Sequence, residues 1–220
     1  MIKQKRNIFL LLSFGLSWSV ALIFWLGTDD IRTTTPGFQG MALIFMFMPM
    51  VAALLVQKVI YKQPVVKPLG VSFRLNRWWW IAWLLPPLLS LAALGVSLLF
   101  PGVHYTPDMS GLMDLYSDML SPEQLAEMEG AELPANPLLI GFFSALMAGA
   151  TINAVAGFGE ELGWRGLLYD TLKSLTFWRA SLVTGVIWGV WHTPVILMGH
   201  SYPGYPVIGL IMVIVWCILL

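Results

Sequence analysis

Apolar residues run through this chain in long blocks without the alternation of polar positions that marks a half-buried strand. Five blocks, near residues 8–27, 37–56, 78–100, 137–158 and 180–198, reach the length of about 20 residues that a membrane-spanning helix needs. Helical periodicity continues from the fourth block through "ELGWRGLLYDTL", which extends that helix to 137–172 with a break expected near 157–159, where Gly157 and Gly159 stand. A sixth block covers 206–220 and stops at Leu220 with too few residues to span, so the chain is expected to be C-terminally truncated inside a helix. The pattern predicts an all-α, polytopic transmembrane helix bundle forming one membrane-embedded domain over residues 1–220. Pro49, Pro86 and Pro87 fall inside these helices and are expected to kink them.

Composition agrees. The chain is 58% hydrophobic and 11% charged, with mean hydropathy +0.76, against roughly 25% charged residues in soluble domains. The formal net charge is zero, which argues against nucleic acid as a partner. Cys217 is the single cysteine, so no intramolecular disulfide and no cysteine metal cage can form. The start, "MIKQKR" and then an apolar run, resembles a signal peptide, but the run is longer than the usual ~7–15 residues and lacks a clear small-residue cleavage site. It reads as a retained helix.

Charge then orients the bundle. Lys3, Lys5 and Arg6 precede the first helix; Lys58, Lys62, Lys67, Arg74 and Arg77 follow the second; Lys173 and Arg179 follow the fourth. The alternate connections carry Asp29 and Asp30, then Asp108, Asp114, Asp118, Glu123, Glu127, Glu129 and Glu132, with Arg32 the only base among them. Basic loops stay cytoplasmic, so the expectation is a multi-pass integral membrane protein with its N-terminus inside, in contact with membrane lipids. In the long acidic connection, "SPEQLAEMEG" offers Ser121 and Gln124 as a capping box, Pro122 at the first helical position and Gly130 as a stop.

Ionisable groups inside this apolar text are the candidates for chemistry. Glu160 and Glu161 are adjacent, and Arg165 stands four residues after Glu161, which makes an i,i+4 pair on one face. Glu160 is turned about 100° from Glu161 and shares a face with Trp164. Gly157, Gly159, Gly163 and Gly166 permit close approach by another helix. The charges could mark only where the helix leaves the bilayer; against that, adjacent carboxylates repel and the apolar text resumes after them. His192 lies well inside the fifth block, with Trp188 one turn earlier and Pro194 just beyond. An ionisable residue within a span is a candidate for function. Asn153 suits an interhelical hydrogen bond, Asp170 a solvated end, and His104 and His200 lie in or beside outer loops. A carboxylate held away from water can take a proton from a water molecule, and a nearby imidazole can orient that water, stabilise an oxyanion or ligate a metal. These parts suit amide hydrolysis, or proton relay in a proton-coupled transporter.

"EELGWR" followed by "WGVWH" resembles the motifs of the CPBP intramembrane proteases, the CAAX prenyl protease and bacteriocin-processing (Abi) group. The first motif is two glutamates with arginine after three intervening residues, here Glu160, Glu161 and Arg165, with Trp164 in the aromatic place. The second is an aromatic, three residues, then histidine, here Trp188 and His192; the usual aromatic is phenylalanine. The likeness covers roughly Gly157 to Pro194. It implies an endopeptidase with a site open toward the cytoplasmic side, in which Glu160 activates water, His192 positions it or the oxyanion, and Glu161 and Arg165 support them. Trp164 and Trp188 would be supporting residues. Such enzymes are usually named metalloproteases; zinc, if bound, would use Glu160 and His192, and a metal-free glutamate mechanism is equally compatible. A third motif, histidine with asparagine or a similar residue after three more, is absent up to Leu220. The substrate implied is a peptide or protein, lipidated or a bacteriocin precursor, at a bacterial cell membrane. A non-catalytic immunity or scaffold protein of the same fold is the alternative within the family.

Overall fold

Helix α1 (Ile2–Gly27) buries Lys5, Phe9, Ser13, Ser17 and Ala21, one residue in every four. That is a single stripe along a helix, and it packs on α2 (Pro36–Leu54), which buries Phe38, Met41, Phe45, Pro49 and Ala52 at similar spacing. Small residues on α1 facing large ones on α2 let the two axes approach closely. Thr35 caps α2 by accepting from the Phe38 N–H, with Pro36 at the first position. In the connection between them Arg32 pairs with Asp30 and holds its carboxyl down at about 2, which accounts for the one base in an otherwise acidic stretch. This computed structural model describes residues 2–107, 110–116, 120–129 and 135–220.

The chain divides into two units, Met1–Ser72 with Ala156–Leu220, and Phe73–Val155. The second unit holds α3 (Arg77–Ser97), α4 (Ser110–Tyr116), α5 (Pro122–Glu129) and α6 (Pro137–Ala150). Within it α3 packs on α6, and the Trp83 indole donates to the Leu146 carbonyl at 2.8 Å. The capping box forms at α5: the Ser121 N–H donates to Gln124 Oε1 at 2.9 Å, and the Gln124 N–H to Ser121 Oγ at 3.2 Å. The expected stop at Gly130, and Asp108, Asp118 and Glu132, lie outside the described residues.

The first unit carries α1, α2, most of α7 (Ile152–Glu161), α8 (Tyr169–Leu172), α9 (Phe177–Trp191), α10 (Thr193–Leu197) and α11 (Pro206–Leu219). Two segments are wound as π-helix, Leu55–Ile60 after α2 and Leu162–Leu168 between α7 and α8. The fourth helical run breaks at Thr151 and not near 157–159. The reason is that Gly159 and Gly163 do not serve as hinges; they are the places where α2 touches. A Cβ on Gly159 would stand 3.1 Å from the Met46 carbonyl oxygen, and one on Gly163 would stand 2.6 Å from Pro49 Cβ and 2.9 Å from its carbonyl oxygen. The fifth run is also not continuous over 180–198: it divides at His192, because Pro194 has no N–H to offer the Val190 carbonyl, which accepts from the Thr193 hydroxyl instead.

Among the described residues three helices are long and apolar enough to cross a membrane, and four when Pro137–Ala150 and Ile152–Leu172 count as one broken span. There are no strands among them, and the fold is an all-α polytopic transmembrane helix bundle. Gly163→Ala is expected to destabilise the fold by roughly 1–3 kcal/mol through overpacking. Its melting temperature in mild detergent should fall by several degrees, whereas Gly157→Ala, where a Cβ meets nothing within 4 Å, should change little.

Candidate active site

Close packing of α7 on α2 sets the position of the next residue. Glu160, between the two contact glycines, is 5% exposed, whereas Glu161 faces outward and pairs with Arg165 at a half-exposed position. The adjacent carboxylates therefore do different things. Glu161 is held by its own helix, and Glu160 is committed to α9.

On α9 a second pair of glycines brings the backbone close to a neighbour. Cβ atoms on Gly185 and Gly189 would each stand 2.5 Å from a Cα of α11, those of Ile218 and Ile214. Between these glycines lies Trp188. Its indole N–H donates to Glu160 Oε2 at 2.7 Å, and its backbone carbonyl accepts from His192 Nδ1 at 2.9 Å. A carbonyl can only accept, so Nδ1 carries the proton and Nε2 presents a lone pair. His192 Nε2 lies 4.0 Å from Glu160 Oε2. That is too long for a direct hydrogen bond and within reach of one water bonded to both. The Arg165 guanidinium sits 4.9 Å from the centre of the Trp188 ring, so the Glu161–Arg165 pair backs the same indole.

Glu160, His192, Glu161, Arg165 and Trp188 thus come together. Trp164 does not join them. It is fully buried between α1 and α9, edge-on to Phe9 at 5.6 Å and to Trp191 at 5.5 Å, and its indole N–H has no hydrogen-bond partner among the described residues. It is core, and it keeps α1 against the end of α9, where the Trp18 indole donates to the Trp191 carbonyl at 3.0 Å. Asn153 is exposed and has no hydrogen bond to another helix among the described residues, Asp170 pairs with Lys173 at 2.9 Å, and His200 stacks on Phe38 at 6.0 Å. Sequence reading missed Trp18, Phe9 and Trp191 as the frame behind the site. It also missed Gly185 and Gly189, although their small-xxx-small spacing is a signal for close helix contact.

For a metal, the Nδ1-bonded tautomer leaves Nε2 suitable as a ligand, and Glu160 lies beside it. A catalytic zinc takes three protein ligands. Glu161 is engaged by Arg165, and no group of three His, Cys, Asp or Glu side chains is placed to hold a metal among the described residues. The donor set here is two, one short, and zinc does not fit the described residues as a complete protein-held centre.

Residues 134–220 match the family described as Rce1-like, type II CAAX prenyl endopeptidase. A stretch of 44 residues is 46% identical to CAAX prenyl protease 2 of Methanococcus maripaludis, covering 20% of this chain and 16% of that protein. The chain thus spans well under two thirds of that relative's length. No solved structure matches. Both likenesses are to CAAX prenyl proteases, and the family match lies in the C-terminal part of the chain that carries Glu160, Arg165 and His192.

Proposed function

We propose that this protein is an intramembrane endopeptidase that hydrolyses a peptide bond of a membrane-borne peptide or protein toward the cytoplasmic side. The observation that carries the reading is the 4.0 Å separation of Glu160 Oε2 and His192 Nε2, two acceptors in a nearly closed apolar setting. A water between them donates one hydrogen to each, and its lone pairs are left for a carbonyl carbon. Glu160 takes the proton as the C–O bond forms and returns it to the leaving nitrogen as the C–N bond breaks. His192 holds the water through Nε2, and the backbone of Trp188 holds His192. The Glu161–Arg165 pair steadies the indole that fixes Glu160.

The test is hydrolysis of membrane-anchored peptides by the purified chain in water enriched in oxygen-18. One labelled oxygen in each newly formed carboxylate is the expected result. Solute uptake into vesicles without cleavage would place the same acids in a transporter. Glu161→Gln is expected to lower turnover by less than about tenfold, because a half-exposed ion pair contributes little. Arg165→Ala should cost more, since it also uncovers the Trp188 ring.

A further inference from the structure

At the end of the first unit where α1 begins, a small cavity of about 120 Å³ is lined by Ile2, Lys5, Tyr61, Gln63, Asp170 and Thr171. Lys5 is 8% exposed, unusual for a lysine. Its ammonium makes one hydrogen bond, to Gln63 Oε1 at 2.8 Å, and no ion pair among the described residues. An ammonium has three donors, so two are left for whatever enters the cavity. The Tyr61 ring lies 5.8 Å beneath it. Asp170, the one carboxylate on the wall, is already paired with Lys173.

The cavity is built. Lys62 is held at φ 51°, a left-handed conformation that a lysine seldom adopts. That turn is pinned on both sides by Gln57, 1% exposed: its carbonyl accepts from the Gln63 N–H at 2.8 Å, and its side-chain amide donates to the Pro64 carbonyl at 2.7 Å. Backbone strain held in this way fixes Gln63 against Lys5, and Gln63 and Tyr61, whose side chains both carry donors, line the cavity.

We propose that this cavity binds the phosphate of an anionic membrane lipid. Lys5 and Lys173 against Asp170 leave one positive charge, which a singly charged phosphodiester neutralises, and the Lys5 ammonium supplies two unused donors to it. The cavity sits at the start of a spanning helix, at the basic end of the bundle, where lipid phosphates lie. A phosphodiester whose headgroup carries its own cation would bring no net charge and is discriminated against.

Thermal unfolding of the full chain in neutral detergent, titrated with phosphatidylglycerol, phosphatidylcholine or inorganic phosphate at matched ionic strength, tests this. Phosphatidylglycerol should raise the midpoint, phosphatidylcholine should not, and Lys5→Gln should bind phosphatidylglycerol about tenfold more weakly. An equal rise with phosphatidylcholine, or an undiminished rise in Lys5→Gln, overturns the proposal. A rise reproduced by inorganic phosphate alone assigns the cavity to free phosphate and overturns the lipid as its source. Should Lys5→Gln fail to fold, Tyr61→Phe and Gln63→Glu replace it. The first removes one donor, and the second keeps the acceptor on Lys5 while exchanging the amide donors for a carboxylate; each is expected to weaken binding by severalfold, and unchanged affinity in both overturns the assignment.

Discussion

Glu160→Gln is expected to lower peptide hydrolysis by about 10³-fold or more while leaving the protein folded. General-base catalysis contributes roughly 10²–10⁴-fold, and glutamine has the size of glutamate without its basicity. The amide oxygen still accepts from the Trp188 indole, so the 2.7 Å contact that ties α7 to α9 can survive. Removing a buried carboxylate costs no stability in itself, because burial of an unpaired charge is unfavourable. The melting temperature should therefore hold or rise as turnover disappears, and substrate should still bind. His192→Gln should lose less than Glu160→Gln, since it positions the water and does not take its proton. Retention of more than a tenth of wild-type turnover in purified Glu160→Gln would sink the assignment of the base.

The helices were legible because the bilayer imposes a length that apolar runs must meet, and the basic clusters punctuate them. Which face of each helix turns inward was harder to read. In a soluble helix the polar face marks the outside, but here Leu11 and Ile23 of α1 are exposed and Ser13 and Ser17 are fully buried, so apolarity carries no direction. Small residues carry it instead: Gly159, Gly163, Gly185 and Gly189 mark where backbones meet. Read as hinges, Gly157 and Gly159 misplace the break; read as contacts, Gly159 and Gly163 account for the burial of Glu160 between them. The Glu161–Arg165 pair followed from spacing alone. The Trp164 environment did not, because a face shared with Glu160 in sequence says nothing of whether the neighbour is a site or a core. That depended on α1, whose Phe9 and Phe14 flank the ring from far along the chain.

Trp188→Phe is expected to lower the turnover number by about 30-fold with little change in KM. The backbone carbonyl that fixes His192 remains, and a phenyl ring still lies under Arg165, so the substitution removes one thing, the indole N–H on Glu160 Oε2. A hydrogen bond to a charged group contributes about 2 kcal/mol, and each 1.36 kcal/mol on a barrier is tenfold in rate. The oxygen that loses its donor is the one 4.0 Å from Nε2. The terminal carboxylate torsion is soft, so without the indole this oxygen no longer stays where a shared water needs it. Phenylalanine is the usual residue in the motif this chain resembles, and an enzyme with phenylalanine there must orient its glutamate by other means. In the proposed mechanism that task falls to Trp188, whose indole bonds Glu160 Oε2, and Trp188→Phe separates orientation from basicity in a way that Glu160→Gln cannot. A raised KM with an unchanged turnover number would instead make Trp188 a substrate contact. A loss as deep as that of Glu160→Gln would mean that the indole takes part in the chemistry itself.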